Sequence, residues 1–346
     1  MKKVAIIGAS GYTGADLVRW IIGHPELSLA AVTSAAEAGR RVAEVYPALS
    51  GATDATFIPV DVDTVAAAAS LAFLAVPHTA AMAVAPALLH AGVTVIDLSA
   101  DFRLTDPDVY AQWYGVPHTA PHLLTEAVYG LPEIDRTRLA GASLVAVPGC
   151  YPTATSLATV PALEAGLWDG RPIHVDAKSG VSGAGRGLAA GTHFIAANET
   201  MSPYKIGAHR HTPEIEQVLS VAAGAQVPVV FAPHLVPMSR GLLSTVYIGL
   251  ARDVSADEAV GLYRERFAGE PFVRVLDPGA MPSTAEVRGT NRAVIGVTVD
   301  ARTGTLVAAC AIDNLGKGAS GQAVQCANAV LGLCETTGLD GLGPVV

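Results

Sequence analysis

Cys150 stands in the run AVPGCYPTATSLATVPAL, where a thiol follows a Pro-Gly turn and Pro152 comes two positions later. Proline is accepted in the first turn of a helix, where its missing N–H has no partner to lose. The spacing therefore predicts a helix that begins at or beside Cys150. Unpaired N–H groups and the helix dipole at such an end favour the thiolate, which is a nucleophile. The competing reading, a small buried apolar residue, does not need the turn or the helix start. Further along, HRHTPEIEQVL sets His209 and His211 ahead of a second helix, with Thr212 as its cap, Pro213 at its first position and Glu214 in its first turn. An imidazole beside a thiol can take its proton or deliver one to a developing oxyanion. His211 is the expected acid/base and His209 a neighbour that contacts substrate or cofactor; the reverse order stays open. A metal pair is the weaker reading, because the histidines precede a helix and no carboxylate–histidine cluster surrounds them.

Other residues suit binding rather than reaction. GASGYTG spaces Gly8, Gly11 and Gly14 after a strand and before a helix. That context suits a dinucleotide pyrophosphate lying on a helix N-terminus, with Ser10, Tyr12 and Thr13 adding donors. The second strand ends in Ser34, with Arg40 and Arg41 shortly after and Glu37 nearby. A hydroxyl and an arginine, in place of an acidic residue at the strand end, suit a 2′-phosphate, so NADP(H) is the expected cofactor. Pro77 of LAVPH and Asn314 of NLGKGASGQAVQ are placed with that cofactor. KSGVSGAGRG offers Ser179, Ser182, Gly183 and Arg186 in a flexible loop that could close over a nicotinamide or phosphate, although a plain turn reads the same way. Ser99 and Arg103 of DLSADFR lie at the end of a parallel strand, where open α/β sheets keep their ligands. Together with Arg240 and Lys317 they make a small anionic substrate the expected partner, though each alone reads as a surface group.

These residues need elements to hold them. The chain has 346 residues, 51% of them apolar and 15% charged, with a net charge of −9. That length predicts two domains, and the charge argues against nucleic acid or an anionic membrane as partner. No apolar run is long enough to span a bilayer, and MKKVAIIG reads as a first strand, not a signal peptide. None of the four cysteines forms a CxxC pair, which argues against zinc, and without a secretory signal the thiols read as reduced and the protein as cytoplasmic. Cys310, Cys326 and Cys334 are expected in the core.

Strands alternate with helices up to about residue 149, which predicts a Rossmann-type α/β dinucleotide-binding domain over 1–149. Beyond Cys150, strand runs such as RPIHVDAKSG, PVVFAPHLVP, LLSTVYIGLA, NRAVIGVTVD and TLVAACAID predict an α+β catalytic and oligomerisation domain over 150–314. Its sheet is expected to be mixed and largely antiparallel. A helix over about 315–334 is expected to pack back on the first domain, and TTGLDGLGPVV reads as a short tail.

GASGYTGADL, LAVPH, DLSADFRL, YGLPE, VPGCYPT, KSGVSGAGR, HRHTPEI, PMSRG and AIDNLGKGASGQAVQ follow one another from residue 8 to 325. Together they resemble the N-acetyl-γ-glutamyl-phosphate reductases of arginine biosynthesis, relatives of aspartate-semialdehyde dehydrogenase. The resemblance implies NADPH-dependent reduction of an acyl phosphate to a semialdehyde through a cysteine thioester. It implies Cys150 as nucleophile, His209 or His211 as acid/base, and a homo-oligomer, dimer or tetramer. The carrier-linked aminoadipyl-phosphate reductases of lysine biosynthesis are an alternative, although their acidic carrier would favour a basic rim that this sequence does not display. A non-catalytic NADP-sensing regulator would have no need of the thiol and imidazoles. A cysteine hydrolase would leave the cofactor turn without purpose.

Overall fold

The run KKVAII forms strand β1 (Lys2–Ile7) and leads a parallel sheet completed by β2 (Leu27–Thr33), β3 (Leu71–Leu74), β4 (Thr94–Asp97), β5 (Val128–Tyr129) and β6 (Leu144–Ala146). Their order is β2-β1-β3-β4-β6-β5, with every pairing parallel. Strand β3, LAFL, is buried at every position, as a strand covered on both faces must be. Helices Tyr12–Ile22, Val62–Ala68, Ala81–His90 and Pro107–Tyr114 lie between the strands in the chain. Because β1 is flanked by β2 on one side and β3 on the other, its carboxyl end marks the switch point of the sheet. The computed structural model describes residues 1–344 and divides the chain into two units. This first unit comprises Met1–Pro148 and Ala319–Gly341.

The late segment joins the first unit through helix Gly321–Val330 and the turn before it. Ser320 receives the indole N–H of Trp20 at 3.2 Å and donates to Asp16 at 2.6 Å. Gln325 donates to Glu133 at 3.0 Å, and Cys326 to the carbonyl of Gly130 at 3.2 Å. The helix is shorter than its sequence suggests. Residues Gly316–Ser320 form a wider, π-type turn, and Gly332 at φ +70° ends the run. Cys334 therefore leaves the helix and is exposed, not in the core, with its thiol 3.3 Å from the Thr336 hydroxyl. The tail is not loose: Leu339 is buried, and Gly338 lies so close to the His24 ring that no side chain would fit.

The second unit, Gly149–Gly318 with the residues from Leu342, is built around a single buried helix, Cys150–Glu164. Tyr151 to Leu163 are buried on every side, the mark of a central helix. It packs on a seven-stranded sheet: β7 (Ile173–Gly180), β8 (Ser202–Pro203), β9 (Val229–Val236), β10 (Leu242–Gly249), β11 (Val273–Val275), β12 (Ala293–Asp300) and β13 (Thr305–Ile312). The order is β11-β12-β13-β10-β7-β9-β8. Only β7/β9 and β11/β12 are parallel, so the sheet is mixed and largely antiparallel.

Alternation along β10 buries Leu242, Ser244, Val246 and Ile248, and a 2.9 Å hydroxyl pair joins Ser244 to Thr155 of the central helix. Tyr263 of helix Ala256–Arg266 donates to the Ala158 carbonyl at 2.6 Å. On the opposite sheet face, Tyr247, His174 and Val230 form one exposed row across β10, β7 and β9. Near the chain end, Gly343 abuts the Arg288 carbonyl and Pro344 lies beside Gly289. The rest of the tail, Val345 and Val346, lies outside the described residues. Among the described residues no helix is long and apolar enough to cross a membrane.

Candidate active site

Cys150 is the first residue of its helix, after Gly149 in an extended conformation and with no side-chain cap. The thiol is half-buried at a helix start without a side-chain cap, whereas Cys310 and Cys326 are fully buried. Two contacts fix the turn. The backbone N–H of Gly149 donates to Glu214 Oε1 at 2.9 Å, a buried bond across 65 residues. On another side, a Cβ on Gly318 would come within 2.7 Å of the Cys150 Cβ, so only glycine lets the Asp313–Gly318 loop lie against the nucleophile.

Glu214 belongs to helix Thr212–Ala223, whose N-cap position is His211, not the expected Thr212. Thr212 is the first helical residue and Pro213 the second, because the His209 carbonyl already takes the Thr212 N–H in a turn at 2.9 Å. The Thr212 hydroxyl is buried without a hydrogen bond. His209 and His211 sit with ring centroids 4.9 Å apart, at 5.7 and 5.9 Å from the Tyr151 ring, and Phe231 lies 5.3 Å from His209. The Nδ1 of His209 accepts the backbone N–H of His211 at 3.1 Å, which puts the proton of neutral His209 on Nε2. Burial, reinforced by the charges of Lys205 and Arg210, pushes His209 down to about 4. It is a neutral donor at pH 7.

Beside this pair, Tyr204 donates to the Tyr151 hydroxyl at 3.3 Å and Tyr151 to the His234 carbonyl at 3.1 Å. Burial holds Tyr204 up at about 12 and raises Tyr151 further, so both phenols stay protonated.

The Gly-rich loop after β7 joins the same unit. Asn314 donates to Ser182 at 2.9 Å and accepts the Gly241 N–H at 2.9 Å, and a Cβ on Gly183 would lie 3.2 Å from the Ser179 hydroxyl. Ser179, Ser182, Gly183 and Asn314 are thus brought together. The other two expected contacts in this unit differ. Arg240 is ion-paired at 2.9 Å with Asp313, whose carboxylate also takes the N–H groups of Leu315 and Gly316. Lys317 is fully buried, its ammonium 5.7 Å from the Phe272 ring, and not on the open surface expected.

In the first unit, Gly8 at φ +85° directs its missing Cβ to within 2.5 Å of the Ala75 carbonyl, and a Cβ on Gly14 would come within 2.6 Å of Gly8 O. Those glycines serve close packing. Gly11, the N-cap of helix Tyr12–Ile22, has nothing nearer to its missing Cβ than 3.8 Å. Open space before a helix N-terminus, with Tyr12 and Thr13 in its first turn, fits a pyrophosphate. Ser10 and Ser34 meet hydroxyl to hydroxyl at 2.7 Å, joining the loops after β1 and β2. Arg40 is exposed and paired with Glu37 at 2.6 Å, and Glu37 N–H donates to Ser34 at 3.1 Å. Pro77 is exposed just past β3.

Ser99 and Arg103 are corrections. Ser99 is 1% exposed, donates to Asp97 at 2.8 Å and accepts the Asp101 N–H at 3.1 Å. Buried Arg103 donates to the carbonyls of Val147 and Leu98, each at 2.8 Å. Asp101 secures the Thr79 and Met82 N–H groups and the Tyr110 hydroxyl. Burial, with Asp101 adding to it, raises Asp97 to about 7. Within this unit DLSADFR braces the strand ends, and the Ser99 and Arg103 side chains are buried, not exposed as expected.

Comparison with known proteins agrees with this division. Residues 3–142 match the semialdehyde dehydrogenase NAD-binding domain and residues 150–314 the semialdehyde dehydrogenase dimerisation domain. An N-acetyl-gamma-glutamyl-phosphate reductase of Geobacter sp. (strain M21) is 51% identical over 341 residues, 98% of each chain. That of Halorhodospira halophila is 51% identical over the full length of both. The chain belongs to the N-acetyl-gamma-glutamyl-phosphate reductase family. Among solved structures, aspartate semialdehyde dehydrogenase II of Vibrio cholerae shares the fold, with TM-score 0.74, 16% identity and coverage of 96% and 98% of the two chains.

In this site the sequence assigned no role to Tyr151, Tyr204 or Asp313, and showed Glu214 only as a helix-start residue. Tyr151 carried a signal by adjoining the thiol. Asp313 and Glu214 carried none, because their partners come from distant segments.

Proposed function

We propose that this reductase converts N-acetyl-γ-glutamyl phosphate to N-acetylglutamate 5-semialdehyde and phosphate with NADPH, through a thioester on Cys150. The observation that carries the reading is the capless helix start at Cys150, tied by Glu214 to the segment that holds His209 and His211. The thiolate attacks the acyl carbon, and the C–O bond to phosphate breaks with its electron pair leaving on phosphate. Backbone N–H groups at the helix start stabilise the oxyanion, and the Nε2–H of neutral His209 adds a donor. NADPH, when bound, supplies the hydride that reduces the thioester.

His211 carries the proton. It takes the thiol proton before attack and gives one to the oxyanion of the reduced adduct. It accepts that proton back as the C–S bond breaks and the aldehyde leaves. His209 is unsuited to that task, because its Nδ1 is occupied and its affinity for a proton is low. Gly8, Gly11, Gly14, Ser10, Tyr12, Thr13, Ser34 and Arg40 hold the dinucleotide, with Pro77 just past the carboxyl end of β3. A 2′-phosphate shares Arg40 with Glu37. Ser179, Ser182, Gly183 and Asn314 meet the nicotinamide or a phosphate. The enzyme works as a homo-oligomer.

The test is a single turnover without cofactor. Acyl phosphate mixed with excess enzyme should release one equivalent of phosphate and leave the acyl mass on the Cys150 peptide. Release only after NADPH is added would refute the thioester. NADP⁺ reduction with phosphate and N-acetylglutamate semialdehyde, set against the aminoadipate analogue, fixes the chain length.

A further inference from the structure

A dinucleotide-binding fold tells one nicotinamide cofactor from the other just after its second strand. An acidic residue there accepts a hydroxyl of the adenosine ribose, or an arginine takes a 2′-phosphate. This chain carries both, and they hold each other. Arg40 donates to Glu37 at 2.6 Å, and Glu44 lies 4.0 Å from the same guanidinium. Arg41, the next cation in the chain, is paired with Asp54. Three carboxylates are thus set against two guanidinium groups, so a phosphate arriving there meets a balanced site and not a cationic one.

The pair is fixed in place by its backbone. The Glu37 N–H donates to Ser34 at 3.1 Å and Ser34 meets Ser10 at 2.7 Å, which ties Glu37 to the turn that fits the pyrophosphate. The Arg40 N–H donates to the Glu37 carbonyl at 3.0 Å. Gly39 donates to the Phe57 carbonyl at 2.8 Å and Phe57 to the Arg40 carbonyl at 2.9 Å, and Phe57 is buried. The side chains are less equal: that of Glu37 is 13% exposed and that of Arg40 51%. Arg40 can swing into solvent while the carboxylate stays. A 2′-phosphate must therefore draw Arg40 from an anion that remains beside it, which offsets much of what the new contact contributes. A cofactor without that phosphate leaves the pair intact and finds in Glu37 an acceptor for a ribose hydroxyl. The 2′-phosphate is remote from the nicotinamide ring, so both nucleotides bring the same hydride to the thioester.

We propose that this reductase takes NADH as well as NADPH, and that Glu37, through its hold on Arg40, sets the balance between them. The inference rests on the placement of the dinucleotide at the glycine turn given above.

The test measures dissociation constants for NADPH and NADH by fluorescence titration of the full-length, substrate-free protein. Wild type is compared with Glu37→Gln and Arg40→Gln, and thermal melts without nucleotide check folding. In wild type the two constants should lie within about tenfold of each other, and NADH should support reduction of the acyl phosphate. Glu37→Gln removes the charge and keeps the shape, so it should move the ratio of the two constants about tenfold toward NADPH. Arg40→Gln should move it toward NADH. Wild type that binds NADPH more than about a hundredfold tighter than NADH overturns the proposal. An unchanged ratio in either variant overturns it as well. Gly11→Ala acts on the pyrophosphate, which both nucleotides share, and should weaken both alike. If it weakens neither, the glycine-turn reading fails, whereas the Glu37 ratio is measured independently of it and of turnover, so the two readings fail separately.

Discussion

The Gly149 N–H and the Glu214 carboxylate, 2.9 Å apart, tie the turn that carries the nucleophile to the helix that follows the paired histidines. A buried carboxylate bonded to the N–H just ahead of the reactive residue holds that turn without capping the helix start itself. Glu214→Gln keeps an acceptor there, and Glu214→Ala leaves a buried N–H unsatisfied. We expect the alanine variant to lose about 1–3 kcal/mol of stability and to alkylate Cys150 more slowly at pH 7. The glutamine variant should retain most of both. Equal losses in the two variants would mean the charge matters and the acceptor geometry does not.

Cys150→Ser should lower reduction of the acyl phosphate at least about a thousandfold while NADPH binding, followed by fluorescence, stays near wild type. Turnover within tenfold of wild type would end the covalent scheme.

Gly318→Ala places a methyl group 2.7 Å from the Cys150 Cβ. Overpacking of this kind costs about 1–3 kcal/mol, and the displaced thiol should lower kcat by more than tenfold with little change in cofactor affinity. A variant with wild-type kcat would show that the loop yields and the thiol does not move.

Gly8 and Gly11 should separate by cause. Gly8→Ala meets the Ala75 carbonyl at 2.5 Å in a left-handed conformation, so it should destabilise the fold by about 1–3 kcal/mol or more. Gly11→Ala meets nothing within 3.8 Å and should cost at most about 1 kcal/mol, yet weaken NADPH binding severalfold. Thermal melts with and without NADPH read both effects. An unchanged affinity in Gly11→Ala would remove the phosphate from that turn.

His209, lowered by burial from 6.5 to about 4, makes stability depend on pH in a defined direction. Above pH 6.5 it is neutral in both folded and unfolded chains. Between 6.5 and 4 the unfolded chain binds a proton there that the folded chain does not, so stability falls as pH falls, by up to about 3 kcal/mol. Urea midpoints at pH 7 and pH 4 should converge more in His209→Gln than in wild type. The same loss in both would mean the imidazole is not held neutral.

Much of this site could be read from local sequence. Gly14 is a glycine because turn and helix pack closely within one short run, whereas Gly8 is held by the distant Ala75 carbonyl. Cys150 sits at a helix start because Pro-Gly precedes it and Pro152 follows. Failures came where a side chain's fate depends on what lies across the fold. Ser99, Arg103 and Lys317 read as accessible substrate contacts and are buried. Cys334 read as core, but Gly332 ends the helix before it. Arg240 read as a free charge and is paired with Asp313 across 73 residues.

The amino-acid order by itself determined the alternation of strands and helices, the glycine turn after β1 and the thiol at a helix start, because each depends on neighbours a few residues apart. Only the tertiary structure decided that Glu214 grips Gly149, that His209 is kept neutral while His211 stands at the next helix, and that Gly318 must have no side chain. Those outcomes depend on burial and on bonds between distant segments, which exist only once the chain has closed on itself.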